Sequence, residues 1–225
     1  MEDVRRIRSA TELPLLVDID TGWGSALSIS RTIKEMISAG ASGVHIEDQV
    51  SEKRCGHRPN KEIVSSEEMV DRIKAAKDAQ TDDNFLLMAR TDAFAKGGLH
   101  EVIDRSNAFI EAGAGAIFPE AISTLKDYGE ISKNVSKPIL ANITEFGMTP
   151  LFSHNDLANA GVKIVLHPLS AFRAMSKAAE KVYATLASGG DHEGLLDKMQ
   201  TRDELYDVLD YHMYEEKIDK LFEKN

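Results

Sequence analysis

Residues 13–24 read LPLLVDIDTGWG. A short apolar run gives way to two aspartates, Asp18 and Asp20, and then to a turn with two glycines. A strand buried on both faces reads in this way when its C-terminal end meets solvent or ligand. The turn lacks the glycine-rich phosphate loop that follows the first strand of a dinucleotide-binding sheet. The stretch therefore points away from an open Rossmann-type sheet and toward another parallel architecture.

The same sentence recurs down the chain. GVHIEDQ (43–49), FLLMARTDA (85–93), AIFPEA (116–121), PILANIT (138–144) and KIVLHP (163–168) are each apolar first and polar last. Helical patterns separate them, such as SALSISRTIKEMISAGA and SSEEMVDRIKAAKDAQ, the second opening on Ser65 and Ser66 ahead of Glu67 and Glu68 as a helix start does. Glycines in EAGAGA and NAGV sit where a helix must stop before the next strand. Repeated strand–helix units predict a parallel α/β sheet. A closed (β/α)8 TIM-type barrel gathers all its strand ends at one mouth, whereas an open doubly wound sheet spreads them along a line. The polar strand ends favour the barrel, although six strands are legible where eight are needed. Residues 1–200 are expected to form the barrel domain and 201–225 a C-terminal helix.

Composition narrows the function. A net charge of −10 argues against nucleic acid or an anionic membrane as partner, since both demand a basic surface. A single cysteine excludes an internal disulfide and fits a reducing, cytoplasmic compartment. No apolar run approaches the roughly 20 residues of a membrane span, and the first residues lack the apolar stretch of a signal peptide.

The strand ends carry the chemistry. Asp18 and Asp20 stand at i, i+2, on one face of a strand; two carboxylates there fit magnesium, and an N-cap role for Asp20 is the plainer alternative. Glu47 and Asp48 end the neighbouring run and add acids to the same mouth. Arg90 either pairs with an acid such as Asp92 or clamps a substrate carboxylate. Asn142 and Thr144, again at i, i+2, are suited to carboxylate oxygens or to satisfying a strand end. Arg173 and Arg202 lie in helical sequence, where a solvated face is the default. His45, His154 and His192 read individually as satisfied histidines.

The lone cysteine lies in SEKRCGHRPNK (51–61) among arginines, lysines and a histidine, with no apolar neighbours. A buried structural thiol is the usual state of a single cysteine. Surrounding cations and a glycine instead form the setting that makes a thiol reactive. A divalent cation and arginines would hold a small polyanion while the thiol moves a proton.

KRCGH together with the aspartates of VDIDTGWG resembles the isocitrate lyase and phosphoenolpyruvate mutase superfamily. The longer KRCGHRPNK, with ARTDA, FPEA, ILANITEFG, PLSAFRAM and MQTRDELY, resembles its methylisocitrate lyase branch, and the likeness runs over nearly the whole chain. Arg54 and Arg58 side with that branch. The resemblance implies a (β/α)8 barrel, Mg2+, and retro-aldol cleavage of 2-methylisocitrate to pyruvate and succinate in propionate breakdown by the methylcitrate cycle. It assigns magnesium to Asp18 and Asp20, with Glu47 near the metal's waters. Cys55 becomes the general acid toward a succinate carbanion, and Arg90 stabilises charge on the forming pyruvate. Substrate contacts fall on Gly56, Arg90, Glu120, Asn142, Ile143, Thr144, Arg173 and Arg202. Relatives carry about two further strand–helix segments upstream, with a Ser-Gly-Gly loop that this sequence lacks, and His167 stands where tyrosine is commoner.

Three outcomes follow from the resemblance: a methylisocitrate lyase, a related lyase acting on isocitrate, or an inactive truncated subunit with an assembly role. The thiol motif argues against the mutase and hydrolase chemistries of the same scaffold. The segment DELYDVLDYHMYEEKIDKLFEK (203–224) carries an apolar stripe at helical spacing. It reads as one helix, either a lid on its own barrel or, as the resemblance implies, a helix swapped between subunits of a homotetramer.

Overall fold

The computed structural model describes residues 1–55, 61–191 and 193–223. Six apolar runs become six short strands: β1 Leu16–Asp18, β2 Gly43–Glu47, β3 Leu86–Thr91, β4 Ala116–Pro119, β5 Leu140–Asn142 and β6 Ile164–Leu166. All pair in parallel, in a four-stranded sheet ordered β1-β2-β3-β4 and a two-stranded sheet β5-β6. One bridge, Ile117 with Ile139, and a hydrogen bond from Ile117 N to the Pro138 carbonyl (2.9 Å) link the two. Among the described residues no pairing joins β6 to β1.

Helices alternate with these strands: α1 Glu2–Ala10, α2 Ala26–Ser38, α3 Ser66–Asp78, α4 Phe94–Glu111, α5 Leu125–Asn134 and α6 His154–Asn159. Their starts are encoded locally. Ser65, Thr124 and Ser153 accept from the backbone N–H three residues on, satisfying donors that have no helical partner. Gly113 and Gly161 take φ of 116° and 89° just after α4 and α6, which lets the chain reverse into β4 and β6.

Period-two alternation sorts the strand residues between two faces. One face packs against the helices in the larger cluster, which includes Val44, Ile46, Leu87, Ala89, Ile117 and Ala141 with Ile33, Met69, Ile73 and Phe109. The other holds a smaller cluster of Met88, Ala116, Phe118 and Leu140, joined by Leu16, Leu86, Ile164 and Leu166. Side chains of both sheets, from β1 through to β6, thus meet over one inner face.

The chain divides into two compact units, Met1–Pro168 and Leu169–Asn225. The second contains α7 Ser170–Ala187, a 3-10 turn Glu193–Lys198, α8 Arg202–Leu209 and α9 Tyr211–Phe222. So α7 groups with the C-terminal helices rather than with the strand–helix units. The expected single helix over 203–224 is two helices. Asp210 adopts the left-handed conformation (φ 51°, ψ 37°) and ends α8, which begins with a Thr201–Glu204 capping box.

Candidate active site

The inner-face parity that places Leu86, Met88 and Phe118 in an apolar cluster continues beyond it into polar residues. In register, Asp18 stands beside His45, His45 beside Met88, Glu47 beside Arg90, and Arg90 beside Phe118. The apolar floor therefore becomes a charged cluster at the C-terminal ends of the strands.

Arg90 is its centre. Its guanidinium meets Asp92 (Nε to Oδ2, 3.0 Å), Glu120 (3.2 Å) and Glu47 (3.4 Å), and its Cζ lies 5.0 Å from the centre of the Phe118 ring. Burial opposes its charge, but Glu120, Asp92 and Glu47 outweigh that and raise its pKa. The pairing alternative for Arg90 is the one seen here, with Asp92 and with two further acids, Glu47 and Glu120. Lys61, 6% exposed, holds Asp92 from the other side at 2.6 Å. Burial alone would raise Asp92, yet Arg90 and Lys61 bring it below the ordinary carboxylate value. The Asn142 amide donates toward both Glu120 oxygens at 3.3 Å, and the Ala121 N–H donates to Glu120 Oε1 at 2.9 Å.

Asp18 and Asp20 come together by a turn, not by strand alternation. β1 ends at Asp18, whose Oδ1 accepts from the Asp20 N–H at 2.8 Å while Asp20 takes φ 51°. The N-cap alternative for Asp20 is set aside, since Ser25 occupies that position of α2. The Asp20 carboxylate accepts from the Trp23 indole (3.1 Å) and pairs closely with Lys53. Burial raises its pKa, and the Lys53 and Trp23 hydrogen bonds more than reverse this. Lys53 also reaches Glu47 at 3.3 Å.

Glu47 is fully buried, and neither of its oxygens makes a hydrogen bond among the described residues. Burial pushes its pKa up to about 7, against the pull of Arg90 and Lys53. Five carboxylates (Asp18, Asp20, Glu47, Asp92, Glu120) meet three cations (Arg90, Lys53, Lys61) through these contacts. With all of them ionised, these eight groups carry a net charge of −2. Among the described residues no group of three or more His, Cys, Asp or Glu could hold a metal by itself. The donor set instead suits an ion that keeps most of its waters and takes one or two carboxylates, as magnesium does.

Several placements differ from the sequence expectation. Asp48 has the opposite parity to Glu47 and points away from the cluster, where it accepts from Thr91 Oγ1 (2.7 Å), the Asp92 N–H (2.9 Å) and Arg105 (3.2 Å). It is a buried structural acid rather than part of the mouth. Lys53 and Lys61 pair with carboxylates, Lys53 with Asp20 and Glu47 and Lys61 with Asp92, so these two members of the basic segment serve the acid site. Cys55 is free and exposed. Its loop is tied down just before it, where Gln49 accepts from the Arg54 N–H (2.9 Å) and donates to the Arg54 carbonyl (3.0 Å). Thr144 is buried and makes a 3.5 Å contact to the Glu145 carbonyl. Ile143 sits in the core with its N–H donated to the Leu166 carbonyl at 2.8 Å. His45 is buried with Nδ1 3.6 Å from Asp18, and burial lowers its pKa against the pull of Asp18. Arg173 on α7 and Arg202 at the start of α8 are exposed residues of the second unit. Gly56 and His192 lie outside the described residues. Lys53, Lys61, Gln49 and Trp23 are the participants not singled out from sequence; the signal for the two lysines was their place at either side of the thiol.

Fold and site define an α/β protein with a buried arginine inside a carboxylate cluster at the strand ends. Residues 1–187 match the family described as phosphoenolpyruvate phosphomutase. The chain is 57% identical over 226 residues to 2-methylisocitrate lyase of Escherichia coli (strain K12), covering 100% of this chain and 76% of that one. It is 59% identical over 226 residues to 2-methylisocitrate lyase of Vibrio cholerae serotype O1, covering 98% and 73%. The solved structure of a phosphonopyruvate hydrolase complex with oxalate and Mg++ superposes with a TM-score of 0.82 at 28% identity, covering 99% of this chain and 77% of that one. The chain belongs to the phosphoenolpyruvate phosphomutase family and, within it, to the 2-methylisocitrate lyases.

Proposed function

We propose that this protein is a magnesium-dependent carbon–carbon lyase that cleaves 2-methylisocitrate to pyruvate and succinate. The supporting observation is Arg90, held rigidly by three buried acids at the strand ends beside Glu47, in a chain 57% identical to a curated lyase of that activity. A substrate with three carboxylates needs positive charge; the acids around Arg90 outweigh its own, so Arg90 would supply that charge together with a magnesium ion held by Asp18 and Asp20. Magnesium, when bound through Asp18 and Asp20, supplies the Lewis acidity that stabilises charge on the oxygens of the keto acid being formed.

The remaining steps fall to side chains. Glu47, with a pKa near 7, is matched to accept the substrate hydroxyl proton at neutral pH. As that oxygen becomes the pyruvate carbonyl, the adjacent carbon–carbon bond breaks and its electron pair leaves on the succinate fragment. The Cys55 thiol delivers a proton to that carbon, completing succinate; solvent later restores the thiol and removes the proton from Glu47. Asn142, Thr144, Glu120, Gly56 and the Ile143 carbonyl are assigned to the substrate, with Arg173 and Arg202 as further carboxylate partners. Lys53, which pairs with Asp20 and Glu47, would give up Asp20 to a magnesium ion held there.

The six strands are read as part of a (β/α)8 barrel, in support of which both sheets share one inner cluster. α8 and α9 have no buried residue and expose Leu209, Met213, Ile218, Leu221 and Phe222. They are assigned to a homotetramer as swapped elements, in the cytoplasm, with propionate catabolism as the setting and neither nucleic acid nor membrane as partner. No helix among the described residues is long and apolar enough to cross a membrane. Coupled assay of pyruvate release from 2-methylisocitrate, with and without Mg2+, tests the reading. Release that is lost in EDTA and restored by Mg2+ supports it, and no release with Mg2+ present overturns it.

A further inference from the structure

We infer that Trp23 is a positioning residue: its indole N–H holds one oxygen of Asp20, leaving the other as a single-oxygen ligand that favours magnesium over calcium. This role rests on the proposed reading of Asp20 as a magnesium ligand. Trp23 Nε1 donates to Asp20 Oδ2 at 3.1 Å, while Lys53 pairs with Oδ1. The Lys53 ammonium also stands 3.3 Å from Glu47 Oε1, so Oδ1 is the oxygen turned toward a cation among the acids. The two Asp20 oxygens thus have separate duties.

The backbone brings the indole there. Asp20, Gly22, Trp23 and Gly24 all take positive φ, of 51°, 91°, 60° and 139°. A bulky residue with φ in this region is an outlier, and such conformations persist only where the surroundings hold them. Gly22 is pressed against the core, since a Cβ on it would come within 2.5 Å of Ile29 Cγ1. The Gly22 N–H donates to the Ile19 carbonyl (2.8 Å) and the Glu47 N–H to the Asp20 carbonyl (2.9 Å), which seats the turn on β2. With the backbone fixed, rotation of the carboxylate is the freedom left to Asp20, and the indole bond restrains it. Trp23 is 50% exposed, so core packing does not account for where its side chain lies. Magnesium demands near-octahedral geometry, whereas calcium accepts both oxygens of one carboxylate in a looser shell. Turning Oδ2 onto an ion would break the indole bond, so the indole disfavours the two-oxygen mode.

Calorimetric titration of the full chain with magnesium and with calcium tests this role. The proteins compared are wild type, Trp23→Phe, and a chain carrying 3-benzothienylalanine at position 23, which keeps the indole shape but has sulfur in place of N–H. Circular dichroism checks their folding. Both replacements should weaken magnesium about fivefold, the worth of one hydrogen bond to a charged group at a partly exposed site, with calcium unchanged or tighter. An unchanged ratio of the two affinities overturns the inference, and so does equal weakening of both ions, which is what a merely disturbed turn would produce. The chain's single tryptophan gives a second readout. Wild-type emission should shift over the magnesium concentrations at which calorimetry records binding; flat emission with magnesium bound overturns the inference alone. A wild-type chain that takes up no magnesium overturns the reading of Asp20 as a ligand as well.

Discussion

At the scale of single residues, the account turns on groups whose charge is set by their neighbours. Cys55→Ser keeps the volume but replaces a thiol by a far weaker acid. Turnover should fall by about 100-fold or more, with magnesium affinity unchanged; a serine variant keeping more than about a tenth of wild-type turnover would contradict the general-acid role. Glu47 gives a pH signature. Folded, it keeps its proton up to about 7, whereas the ordinary value is 4.5. Between those values the folded state binds more protons than the unfolded one, so the stability linked to this group is full below 4.5 and declines as pH rises through 7. The decline reaches up to about 3 kcal/mol for a shift of this size. Without metal, Glu47→Gln should melt higher than wild type at pH 8 and show much less advantage at pH 5. Parallel melting curves for the two proteins across that range would remove the argument. Lys61→Met removes one of two cations paired with buried Asp92, the other being Arg90, and a loss of about 3 kcal/mol or more is expected in denaturant unfolding. Arg90 and the two aspartates were legible as candidates because each ends an apolar run. The lysines were not, because a lysine in a polar loop reads as solvated until the fold shows which acid it neutralises. Asp48 was misplaced for a similar reason: it is adjacent to Glu47 in sequence, and only the strand's parity separates their surroundings.

At the scale of elements, all six strands were visible from their apolar runs, since parallel strands covered on both faces lose the alternating pattern and become short and hydrophobic. Register was not visible, because it depends on contacts between runs distant in sequence. Gly43 shows what register demands. It pairs with Leu86, and a Cβ built on it would come within 2.6 Å of the Leu86 carbonyl oxygen and 2.7 Å of Leu86 Cβ. Backbone cannot yield as a flexible side chain does, so Gly43→Ala should destabilise by about 1–3 kcal/mol and loosen the placement of Glu47 on the same strand. Equal urea midpoints for the variant and wild type would show that β2 and β3 are free to separate. The break between α8 and α9 escaped notice in sequence because an aspartate, not a glycine, takes the left-handed turn at Asp210.

For the whole molecule, the exposed apolar residues of α8 and α9 motivate the assembly proposal. Exposed patches of this kind mark association surfaces. Deletion of residues 203–225 should reduce the mass found by light scattering and abolish activity together. A monomeric full-length chain, or a deletion that leaves the oligomer intact, would assign these helices to their own subunit. The most direct test of the central claim is steady-state cleavage by this 225-residue chain, with magnesium, on 2-methylisocitrate and isocitrate side by side. The account predicts stoichiometric pyruvate and succinate from 2-methylisocitrate, with a clearly higher kcat/KM than for isocitrate. A preference for isocitrate, or no turnover of either compound, would contradict it.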